Sequence, residues 1–202
     1  MKDLRTTRLV LHPLTVAETE RVVAGTPADD AHWTPGYPTQ GDVAGGRRFL
    51  DTCASSGDPR PFGNYEIRRR ADGRAIGGLG FHGAPDASGT VTIGYGLIPA
   101  AQGHGYATEA LRELLRFARE AGVTRVQGDT AHDNVASQHV MTAVGMRLTK
   151  EDGDLKHYAT DWPEAEVEAE AEAGSDPNVH SSTASDAVAD APPPPAQAAT
   201  QA

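Results

Sequence analysis

The sequence predicts an α/β fold, and three observations lead there. Short apolar strand patterns and helix-period segments interleave from Arg8 to Thr160. One strand passes through a glycine-rich loop straight into an amphipathic helix, between Ile93 and Ala118. Beyond Pro163 both patterns stop. The chain has 202 residues, enough for one ordinary domain with a packed core. A domain over 1–163 and a tail over 164–202 are therefore expected.

A first strand fits Arg8 to Pro13. Thr15 and Glu18 then make a capping-box pair, and Gly25 closes the helix they start. Thr26 to Pro38 is a loop rich in Pro, Gly, Asp and aromatic residues. A second helix from about Gly41 to Thr52 offers Val43, Phe49 and Leu50 for burial. Pro59 and Pro61 mark the next loop. Phe62 to Arg69 and Arg74 to Phe81 read as strands joined by a turn at Ala71-Asp72-Gly73. Pro85 to Gly89 is a further turn, and Thr90 to Ile98 is the strand that enters the glycine loop. Ala107, Ala110, Leu111, Leu114, Leu115 and Ala118 recur at helical spacing, with charged residues between them. Gly122 ends that helix. Thr124 to Thr130 is a strand, Val135 to Val144 a helix, and Met146–Glu151 with Leu155–Thr160 a closing hairpin.

The tail has a different composition. Glu alternates with small residues, then Ser, Ala and four consecutive prolines follow, with no aromatic residue. Such a segment buries too little apolar surface to offset its ordering entropy, so disorder is expected. Its eight acidic residues leave only −2 of the net charge of −10 to the first 163 residues. A nearly balanced domain gives no case for nucleic-acid binding. The single cysteine, Cys53, excludes an internal disulfide and fits a reducing compartment. No apolar run is long enough for a signal peptide or a membrane span, so a cytoplasmic protein, monomeric or homodimeric, is expected. The histidines are scattered without a cysteine or carboxylate cluster, and no metal site is read.

The glycine loop carries the chemistry. Glycines let the backbone approach a ligand closely, and the helix behind the loop turns its positive end toward it. A pyrophosphate is the natural guest. The core of the pattern is Gln102, Gly105 and Ala107 in Gln-x-x-Gly-x-Ala. A second block has Asn134 and Ser137 opening a helix and Gly145-Met146 ending it. With the opening Arg8-Leu9-Val10-Leu11-His12-Pro13-Leu14, these blocks resemble the GNAT superfamily of acetyl-CoA-dependent N-acetyltransferases. They are most similar to the subgroup with the ribosomal-protein N-acetyltransferases. The resemblance spans about residues 5 to 160. It implies a mixed, mostly antiparallel, splayed sheet of six to seven strands flanked by helices, the acyl-CoA N-acyltransferase fold.

The resemblance also implies contacts. The coenzyme A pyrophosphate would take the amides of Gly103, His104, Gly105, Tyr106 and Ala107, with Gln102 in the same loop and the Thr108 hydroxyl in the first helical turn. The pantetheine arm would pair with the strand edge at Gly96, Leu97 and Ile98. Asn134 offers an amide to that arm and is equally a leading helix-cap residue. The implied reaction is direct attack of a primary amine on the thioester, with an oxyanion held by an amide near Leu97.

Two positions depart from the family pattern. Many members have a Glu three residues before the strand Tyr; Thr92 stands there. Many have a Tyr four residues before the second block's glycine; Met141 stands there. Candidate bases are therefore His82 and Glu66 on neighbouring strands, acting directly or through water, each also readable as a surface strand residue. Ser137 is the candidate proton donor for the leaving thiolate, or a coenzyme A contact. Trp33 and Tyr37 either wall the acceptor pocket or pack a surface loop. The acceptor is an amine-bearing small molecule or a protein N-terminus. The alternative reading is a coenzyme A-binding protein with little catalysis.

Overall fold

The computed structural model describes residues 1–160 and 162. Eight strands form one sheet: β1 (Leu4–Arg5), β2 (Leu9–Pro13), β3 (Asn64–Arg69), β4 (Ala75–Phe81), β5 (Thr90–Leu97), β6 (Arg125–Ala131), β7 (Arg147–Glu151) and β8 (Leu155–Ala159). Four helices accompany them: α1 (Val16–Ala24), α2 (Gln40–Ser56), α3 (Tyr106–Glu120) and α4 (Val135–Ala143). The strand order is β1-β2-β3-β4-β5-β6-β8-β7. Only β5 and β6 run parallel; the other pairs are antiparallel. The sheet is thus mixed and mostly antiparallel, as expected, but has eight strands rather than six or seven. The added strand, β1, pairs Leu4 with Leu11 and is two residues long, too short to show a period of two.

The middle of the sheet opens. β5 and β6 pair only at Thr90–Arg125, Val91–Val126 and Thr92–Gln127. β5 then continues to Leu97 still paired with β4, while β6 continues to Ala131 paired with β8. A cleft lies between them.

Helix ends follow from local chemistry. Thr15 and Glu18 make the expected capping box of α1, and Gly25 closes it in the left-handed region. α2 starts with a second capping box, Thr39 and Asp42, which the sequence reading missed. It also runs four residues beyond Thr52, ending where Gly57 donates back to Cys53. Phe49 is its buried anchor, while Val43 and Leu50 are only half-buried. On α3 the five residues Ala110, Leu111, Leu114, Leu115 and Ala118 are all buried, as the spacing requires.

Strand register decides what each face carries. Tyr65, Leu79 and Tyr95 align across β3, β4 and β5 and turn toward α3 and α4. The neighbouring rungs are Glu66–Gly78–Gly96 and Asn64–Gly80–Gly94, facing α1 and α2. Two adjacent strands therefore expose bare backbone on that face. A Cβ at Gly80 would lie 2.6 Å from the Gly63 carbonyl oxygen and 2.8 Å from the Asn64 Cα. Backbone atoms cannot step aside without separating β3 from β4. Gly80→Ala is expected to cost about 1–3 kcal/mol and to lower the melting temperature by several degrees, read by calorimetry.

The expected disorder of the tail lies outside the described residues. Among the described residues, no helix is long and apolar enough to cross a membrane, and no group of three or more potential metal ligands forms.

Candidate active site

The glycine loop has the backbone geometry that an anion cradle needs. After the short 3₁₀ turn Pro99–Ala101, Gly103 and Gly105 adopt φ of 77° and 74°. That left-handed geometry suits glycine and turns successive amides the same way. Gly105 is the N-cap of α3 and makes no side-chain cap. Among the described residues, no group accepts from the amides of Gly103 to Thr108. They face solvent together with the positive end of α3.

A distant segment fixes this loop. Glu109, in the first turn of α3, accepts from the Thr6 hydroxyl at 2.6 Å and the Arg8 amide at 2.8 Å, and pairs with Arg8 Nε at 2.6 Å. Arg8 also donates to the His104 carbonyl at 2.9 Å and lies over the Tyr106 ring, itself stacked on His104. Partial burial pushes the Glu109 carboxyl up, but its hydrogen bonds from Thr6 and Arg8 prevail and hold it below the usual range. The guanidinium adds a positive charge beside the cradle. The sequence reading used Arg8 only as the start of a strand, because its partners lie about a hundred residues away.

The cleft edge comes next. Ile98 donates its amide to Ile76. Because strand groups alternate sides, Gly96 and Ile98 turn theirs toward β4, and Tyr95 and Leu97 turn theirs into the cleft. The Leu97 carbonyl accepts from Gln102 Nε2 at 3.1 Å, tying the loop to that edge. Of the three edge residues read from the sequence, Leu97 is the one with an amide facing the cleft. Across the cleft, Asn134 caps α4 by accepting from the Ser137 amide at 3.1 Å. The Tyr95 hydroxyl donates to the Ser137 carbonyl at 3.0 Å, bridging β5 to α4. Met141, one turn on, is fully buried against Gly128.

On the other face, an open cavity of about 270 Å³ lies over the glycine rungs, roofed by α2. His82 and Arg48 stand at its Gly94 end. His82 is exposed overall, yet a Cβ at Gly94 would come within 3.0 Å of its Nε2. Shielding there and the charge of Arg48 push its imidazole pKa down, favouring the neutral form. Asp42 stands at the Gly78 end, and Tyr37 walls the cavity beside it.

A family model described as "Acetyltransferase (GNAT) domain" matches residues 8–147. The chain belongs to the GNAT family. It is 29% identical over 112 residues to "Uncharacterized N-acetyltransferase YjdG" of Bacillus subtilis (strain 168), covering 54% of this chain and 66% of that protein. The ribosomal-protein-S5-alanine acetyltransferase of Vibrio fischeri shares its fold with a TM-score of 0.59 at 14% identity, over 81% of this chain and 100% of that one. RimL, a ribosomal L7/L12 α-N-protein acetyltransferase solved in complex with coenzyme A, does so with a TM-score of 0.56 at 19% identity, over 78% and 97%.

Within this GNAT domain the sequence-read residues divide. Gln102 to Thr108 and Leu97 converge on one side of the cleft, with Asn134 and Ser137 across it. His82 and Tyr37 line the cavity, but Glu66 and Trp33 line a second cavity of about 390 Å³ beside it. Glu66 is almost fully buried and pairs with Arg68 Nε at 2.6 Å, so it is not a surface strand residue. Trp33 meets Tyr37 edge-on at 5.3 Å. Burial, with the nearby charges of Glu66 and Asp42, pushes the Tyr37 hydroxyl pKa far up. Asp42, Arg48 and Asn64 were missed. Only the Thr39-x-x-Asp42 spacing was visible, and it signals a helix start rather than a site.

Proposed function

We propose that this protein transfers an acetyl group from acetyl-CoA to a primary amine by direct attack. One observation carries the reading. The unpaired amides of residues 103–108 and the open edge at Leu97 meet at the same cleft, and a cavity lies against the same strand on the opposite face. A pyrophosphate fits the loop, and a peptide-like pantetheine arm fits the edge as an added strand. The Leu97 amide then faces the thioester carbonyl, where an oxyanion forms. The amine enters from the cavity, over Gly94 and Gly96. Of the two sequence-read candidates for handling its proton, His82 lines this cavity and Glu66 the neighbouring one, and Ser137 is the candidate for protonating the thiolate.

The preferred acceptor is a protein N-terminal amine. The structural neighbours named as ribosomal-protein acetyltransferases support this, and a small-molecule amine is the other class. The single Cys53 fits a cytoplasmic, reducing setting. The second reading, a coenzyme A binder with little turnover, draws on Thr92 and Met141, which cannot serve as base and acid. A panel of peptides and small amines, incubated with acetyl-CoA and followed by mass spectrometry, decides between them. Mass gain of one acetyl group on an amine class is expected. Binding of acetyl-CoA without acetylation of any amine would favour the second reading.

A further inference from the structure

We propose that Asp42 is a catalytic residue, whose free carboxylate oxygen takes the proton of the acceptor ammonium above the Gly78–Gly96 rung. This rests on the acetyl-transfer reading and names the base of that same site.

The carboxylate is fixed in place. Its Oδ2 accepts from the Thr39 amide and the Thr39 hydroxyl, both at 2.7 Å. That leaves Oδ1, which, among the described residues, accepts no hydrogen bond. Oδ1 is aimed down at Gly78: a Cβ there would collide with it. Gly78 pairs with Gly96, and the Thr39 hydroxyl lies 3.9 Å from the Cβ position of Gly96. The next residue, Leu97, offers its amide to the cleft. Asp42 therefore stands on the rung where an amine must sit to meet a carbonyl at Leu97. The two bare glycines on that rung leave the amine room.

The groups around it favour this assignment. Glu66 on β3 and Tyr37 from the preceding loop flank Asp42, with Arg68 paired to Glu66. Burial raises the Asp42 carboxyl, hydrogen bonds from Thr39 oppose that, and the Glu66 charge raises it further. The net shift is upward, toward the pKa of a useful base at neutral pH. His82 and Arg48 lie one rung along the strand, roughly 7 Å farther from Leu97. Glu66 is paired with Arg68 and lines the neighbouring cavity instead.

The protons balance. An amine of pKa about 8 to 10 arrives as the ammonium. Asp42 accepts one proton and later releases it to solvent through the cavity mouth. The freed lone pair attacks the thioester carbon, the C–N bond forms, and the C–S bond breaks with its electron pair on sulfur. The second amine proton ends on the thiolate.

The test uses Asp42→Asn in the full chain. Asparagine keeps the size and can still accept from Thr39, but it cannot take a proton. With an acceptor that the wild type acetylates, kcat/KM at pH 7 should fall about a hundred- to ten-thousandfold. Acetyl-CoA affinity and the melting curve should stay unchanged. The wild-type profile should rise with ionisation of a carboxyl-range group. In the variant that limb should vanish, and activity should climb only as the amine itself deprotonates. Asp42→Glu retains a carboxylate and the capping pattern, and should recover part of the rate. Near-wild-type rates for Asp42→Asn, or transfer of the lost limb to His82→Gln, would overturn the assignment. A wild type that acetylates no amine would sink the acetyl-transfer reading, and the role of Asp42 with it.

Discussion

Gly105→Val is expected to weaken acetyl-CoA binding by more than about tenfold while the domain stays folded. Gly105 sits at φ 74° as the N-cap of α3. A β-branched residue is strained there by about 1–3 kcal/mol, so the loop would relax toward negative φ. That rotation breaks the common direction of the amides from Gly103 to Thr108. It also moves the loop against Arg8, whose Nη2 lies 3.5 Å from the Cβ position of Gly105. The loop is exposed and carries none of the buried core, so the rest of the fold survives. Titration calorimetry and a melting curve on the same sample read both quantities. A folded variant with unchanged affinity would remove the pyrophosphate assignment.

Ser137→Ala is expected to lower kcat by about ten- to thousandfold, with little change in the Michaelis constant for acetyl-CoA. A thiol has a pKa of about 8.5, so a positioned donor helps the thiolate leave at neutral pH. The geometry narrows the choice of donor. Met141 is buried and has no proton to give. The Tyr95 hydroxyl reaches the cleft wall but spends its proton on the Ser137 carbonyl. The Ser137 amide is tied to Asn134, and its half-buried hydroxyl makes no hydrogen bond among the described residues. A change confined to the acetyl-CoA constant would make Ser137 a binding contact only. No change in either would mean the thiolate departs unaided.

Much of this molecule is written locally. The Thr15–Glu18 capping box, the apolar stripe of α3 and the strand–loop–helix passage at Gly105 involve residues a few positions apart. Their chemistry shows in a short window of sequence, and the structure bears them out. The family was legible for the same reason, since its blocks are short local patterns. Boundaries were less legible. α2 outruns Thr52 to Ser56, where the Gly57 amide closes on the Cys53 carbonyl, and β1 exists only because β2 is beside it.

By itself, then, the sequence determined the α/β class, the glycine loop and the family, because each rests on neighbours in the chain. Only the tertiary structure decided what surrounds them. Arg8 and Glu109, about a hundred residues apart in the chain, meet to set the loop. Strand register places Glu66, Gly78 and Gly96 on one rung, and α2 lowers Asp42 onto it. It also separates His82 from Glu66, two candidates that looked equivalent in sequence, into different cavities. Register and helix docking are set by packing summed over many distant contacts, and no short window of residues carries that information.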